Sequence, residues 1–94
     1  MSAVQDTVAA IRDIIDYTHA EHNLWRTEWW MPQYDKIADY KVDALSRLAQ
    51  SPIPAAVAIA GKIKIRKTSL DPSTQRMILD LIASLRRMLA AGGK

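Results

Sequence analysis

Four prolines, at positions 32, 52, 54 and 72, constrain what this 94-residue chain can fold into more than any other feature. Proline has no backbone N–H to give a helix, its ring clashes with the preceding turn, and it pushes the residue before it out of the helical region. It is tolerated at a first helical position, where the N–H would have had no partner. The chain is thereby divided into segments, each able to open a helix on a proline or to end one just before it.

Apolar spacing fills these segments. Val4, Val8, Ile11 and Ile15 recur at steps of four and three, with Ile14 widening the stripe, which is the helical period. Ser2 and Gln5 have the spacing of a capping box. A first helix is expected over about 3–22, with a break within 23–31 because Pro32 interrupts any helix that reaches it. Pro32 opens a second helix over about 32–50, in which Tyr34, Ala38, Val42, Leu45 and Ala49 form a stripe joined by Ile37, Ala44 and Leu48. Asp35, Asp39 and Asp43 line up on another face.

The third segment gives conflicting signals. Pro54, the alanines that follow it, and Ile59 with Ile63 four apart favour a helix, whereas Lys62-Ile63-Lys64-Ile65-Arg66 alternates like a strand. A lone strand would lack a ladder partner in a helical chain, so the expectation is a helix over about 54–66. Asp71 as a cap, Pro72 in the first turn and the stripe Ile78, Leu81, Ile82, Leu85, Met88, Leu89 predict a fourth helix over about 72–91, stopped by Gly92-Gly93. The expected fold is all-α: one domain over 1–94, a small bundle of three to four helices that self-association can complete.

Composition narrows the chemistry. With no cysteine, disulfides, thiolate metal sites and thiol nucleophiles are excluded. The opening residues carry no basic segment ahead of an apolar run, so no secretory signal is expected. The uncharged run Gln50 to Gly61 is far short of a membrane span, which takes about 20 apolar residues. A soluble, cytoplasmic chain is the expectation. Residues 1–47 hold eight acids against five bases, net −3, while residues 48–94 hold eight bases against Asp71 and Asp80, net +6. A molecule with two electrical ends can attract acidic partners or further copies of itself.

Metal-ligand spacing occurs once, at Asp16, His19 and His22, where steps of three place neighbours on one helix face. A carboxylate-bridged site needs further ligands from other helices, and the C-terminal helix offers only Asp80. These three are weak candidates, and neither a metal nor another cofactor is expected. No glycine-rich phosphate loop and no activated nucleophile are present, so no catalytic residue and no small-molecule substrate are assigned.

Two binding readings remain. All six aromatics, Tyr17, Trp25, Trp29, Trp30, Tyr34 and Tyr40, fall within residues 17–40, and the three tryptophans lie in the stretch LWRTEWWMP. In a helix Trp25 lies one turn from Trp29, whereas Trp30 is about 100° away, so Trp30 is the one expected to face a partner. The first reading is a non-enzymatic interaction or assembly subunit, self-associating or binding another protein, with a contact at Trp25, Trp29, Trp30 and Tyr34. The alternative is a nucleic-acid-binding module using Lys62, Lys64, Arg66, Lys67, Arg76, Arg86 and Arg87 in the basic half.

Overall fold

The computed structural model describes residues 3–27, 30–64 and 70–92. It is an all-α bundle of four helices, with no strand among the described residues: α1 (Ala3–Thr27), α2 (Pro32–Ala49), α3 (Pro54–Ala60) and α4 (Pro72–Gly92). Ser2, Trp29, Arg66 and Lys67, all part of the sequence reading, lie outside the described residues.

α1 and α2 form an antiparallel hairpin. As the α1 member of each contact falls from Trp25 through Glu21 and Tyr17 to Asp13, its partner rises from Tyr34 through Tyr40 and Lys41 to Arg47. Met31 is extended (φ −77°, ψ 144°), as a residue before proline should be, and Pro32 starts α2 with no side-chain cap. The Met31 carbonyl accepts from the Tyr34 N–H at 3.0 Å.

α1 runs about one and a half turns past the expected stop near residue 22. Asn23, Leu24, Trp25, Arg26 and Thr27 are helical, because nothing between Ala3 and Thr27 breaks a helix and Pro32 restrains only the residue directly before it. The stripe on α2 is also rotated from the expected one. Tyr34, Ala38, Lys41, Ala44 and Leu48 are buried, whereas Val42 and Ala49 are exposed.

Eleven buried residues make up the aliphatic core: Ala10, Ile11 and Ile14 of α1, Ala44 and Leu48 of α2, Ala56 and Ile59 of α3, Ile63, and Ile78, Leu81 and Leu85 of α4. All of its α1 members precede Tyr17 and all of its α2 members follow Lys41, so the core fills one half of the hairpin, where α3 and α4 cover it. Hydroxyl groups fix the connection between α2 and α3. Thr7 Oγ1 donates to the Ala3 carbonyl at 2.7 Å, so its single proton is used, and the 2.7 Å contact with Ser51 Oγ must be donated by Ser51. Ser51 Oγ in turn accepts from the Ile53 N–H at 3.2 Å.

α3 is shorter than expected, ending at Ala60 rather than near residue 66. Gly61 is right-handed (φ −69°, ψ −15°), and the Lys62 N–H bonds back to the Ile59 carbonyl at 3.0 Å, three residues behind, the tightening typical of a helix end. Glycine's poor helix propensity sets this limit. Beyond it Ile63 is buried between exposed Lys62 and Lys64, in neither helix nor strand. No helix among the described residues is long and apolar enough to cross a membrane.

Candidate functional site

The half of the hairpin beyond the aliphatic core is built from polar and aromatic side chains. Thr18 and Glu21 occupy inward positions of α1, three apart and continuing from Ile14, while Tyr34, Ala38 and Lys41 occupy those of α2. Lys41 Nζ donates to Glu21 Oε1 at 2.6 Å, and both side chains are 0% exposed. Thr18 is buried next to this layer in sequence, and its Oγ1 has no hydrogen-bond partner among the described residues. On one flank the rings of Tyr17 and Tyr40 stack at 5.7 Å between centroids, with 29° between their planes.

The hairpin tip carries the tryptophans. Trp25 lies 6.5 Å from Tyr34, ring centre to ring centre, and is still 54% exposed; Trp30, in the turn, is 64% exposed. Among the described residues, Trp25 and Trp30 are the large apolar groups that this end presents to solvent. Tyr34 differs from expectation: it is only 8% exposed, because it lies on the inward face of α2 in line with Ala38 and Lys41. It therefore supports Trp25 from beneath and offers no contact face of its own.

The basic residues fall on two elements. Lys62 and Lys64 are exposed after α3, and Arg76, Arg86 and Arg87 are exposed on α4, Arg87 donating to Ser84 Oγ at 3.2 Å. No aromatic residue lies between them in sequence, since all six precede residue 41. Asp16, His19 and His22 are exposed on α1, and no group of three or more histidine, aspartate or glutamate side chains converges among the described residues. Arg47 Nη2 donates to Asp13 at 2.6 Å and its Nε to Asp43 at 3.2 Å. The Asp13 hydrogen bond, first, and the fields of the two carboxylates raise Arg47 above its ordinary value, partly opposed by burial.

The buried pair is what sequence reasoning missed. Glu21 follows Ile14 by seven residues, and Lys41 lies seven from both Tyr34 and Leu48, so each charge interrupts an apolar heptad, with opposite signs on consecutive helices. That coincidence was the available signal. A scan of protein-family models and searches of curated proteins and of solved structures found no match to the chain.

Proposed function

We propose that this protein is a non-enzymatic interaction or assembly subunit whose contact surface is the tryptophan-bearing tip of the α1–α2 hairpin. The observation that carries the reading is the exposure of Trp25 and Trp30 together at the tip, directly above a layer that excludes solvent from an ion pair. A large aromatic left half in water is costly to keep there and is the residue type that dominates binding energy when an interface covers it. The antiparallel helices, the Tyr34 ring and the buried Glu21–Lys41 pair give Trp25 a packed base, which lowers the ordering cost of binding there.

The test is recovery of the tagged protein from its native cell with nuclease treatment. A partner protein retained by the parent chain and by a Lys62→Glu/Lys64→Glu variant, and lost with Trp25→Ala/Trp30→Ala, supports the reading. Exposure of Lys62, Lys64, Arg76, Arg86 and Arg87 favours a second reading, nucleic-acid binding. That reading predicts the reverse pattern, together with affinity that falls steeply as salt is raised.

A further inference from the structure

Two helices place a large aliphatic residue on the face turned away from the core, each among charges of one predominant sign. On α2, Asp35, Asp39, Val42, Asp43 and Ser46 fall within an arc of about 100°, opposite buried Ala44 and Leu48. Val42 in their midst is 50% exposed. On α4, Arg76, Leu79, Ala83, Arg86, Arg87 and Ala90 share the face opposite Ile78 and Leu85, and Leu79 is 66% exposed. A single surface valine or leucine is ordinary. Val42 lies beside Asp39 and Asp43, and Leu79 lies beside Arg76 and Asp80 with Arg86 and Arg87 further along the helix, so the first patch is net negative and the second net positive.

The geometry of the two patches matches. Asp35 to Asp43 spans about 12 Å of helix and Arg76 to Arg86 about 15 Å, so the rows can lie alongside each other. Ala83 and Ala90 keep the α4 face shallow enough for another helix to approach. Asp43 is already met by Arg47 on its own helix, whereas among the described residues Asp39, Arg76, Arg86 and Arg87 take part in no ion pair.

We propose that copies of this chain associate head to tail, the acidic, Val42-centred face of α2 on one copy seating on the arginine-rich, Leu79-centred face of α4 on the next. The two patches differ, so each contact leaves one of each kind open and the assembly continues into a ring or a filament. Val42 and Leu79 form its dry centre and the ion pairs its rim. This contact is independent of the tryptophan tip.

Light scattering and sedimentation across protein concentration and salt test it. The parent protein should grow in mass with concentration at low ionic strength and shrink as salt screens the rim. Asp35→Lys/Asp39→Lys and Arg76→Glu/Arg86→Glu should each weaken association about a hundredfold, because like charges then face each other. An equimolar mixture of the two variants should reassemble, since each supplies the face that the other needs. All four positions are exposed, so unchanged helical circular dichroism is expected and controls for folding. A parent chain that stays monomeric at high concentration and low salt overturns the proposal. So does association lost only with Trp25→Ala/Trp30→Ala, which leaves the tip reading standing, or association that nuclease abolishes and mixing does not restore, which points to nucleic acid at the arginines.

Discussion

Lys41 Nζ reaches Glu21 Oε1 across 2.6 Å inside the α1–α2 hairpin, with neither side chain touching solvent. Removing two charges from water costs several kcal/mol per ion, and their attraction offsets this only while both are present. Glu21→Leu or Lys41→Met alone should therefore destabilise the fold by about 3 to 5 kcal/mol, a large share of the total for a chain this size. The paired change Glu21→Leu/Lys41→Met should be neutral or stabilising by up to about 4 kcal/mol. Denaturant unfolding of the two single variants and the double variant gives the coupling directly.

Tyr34 and Trp30 should separate stability from contact. Tyr34→Ala removes a buried ring that Trp25 rests on and should cost about 3 kcal/mol. Trp30→Ala, at a mostly exposed position, should change stability by no more than about 0.5 kcal/mol. Thermal unfolding of both variants checks this, and a tip variant with parental stability is the one suited to binding experiments.

Thr18 offers a stabilising substitution. Its buried hydroxyl is desolvated without a hydrogen bond among the described residues, so Thr18→Val keeps the shape and removes that penalty. A gain of about 1 kcal/mol is expected from the midpoint of chemical denaturation.

Arg47 fixes the sign of one pH effect. Its proton affinity is raised on folding, first by the Asp13 hydrogen bond, so it stabilises the fold fully below its unfolded value and loses that contribution only as pH rises through the raised one. That window is strongly alkaline. Arg47→Met should therefore lower stability by the same small amount at about pH 6 and about pH 9, under about 1 kcal/mol because solvent screens a pair whose side chains are both more than a third exposed.

The all-α fold was legible because prolines and apolar periods mark helix starts and inward faces independently of context. Pro32, Pro54 and Pro72 each begin a helix. The end of α1 was not legible, because its inward stripe changes from Ile14 to Thr18 and Glu21, residue types that normally face water. Rotation of the α2 stripe has the same origin: four-residue spacing from Tyr34 and Ala38 points to Val42, and Lys41 turns inward instead because Glu21 on the facing helix receives its charge. Within the candidate site, Trp30 lies in the turn before α2 rather than in a helix, so its exposure comes from its place at the turn and not from the helical offset expected of it. The burial of Tyr34 depends on packing between helices, which spacing along one helix does not contain.

Confinement of all six aromatic rings to residues 17–40 makes the protein optically one-sided. Intrinsic fluorescence and near-ultraviolet dichroism arise from the tip and the ion-pair layer, whereas far-ultraviolet dichroism averages over every helix. Coincident unfolding curves mean that the polar layer and the aliphatic core open together; a fluorescence transition that comes first measures, without labels, how far the hairpin end can separate from the rest.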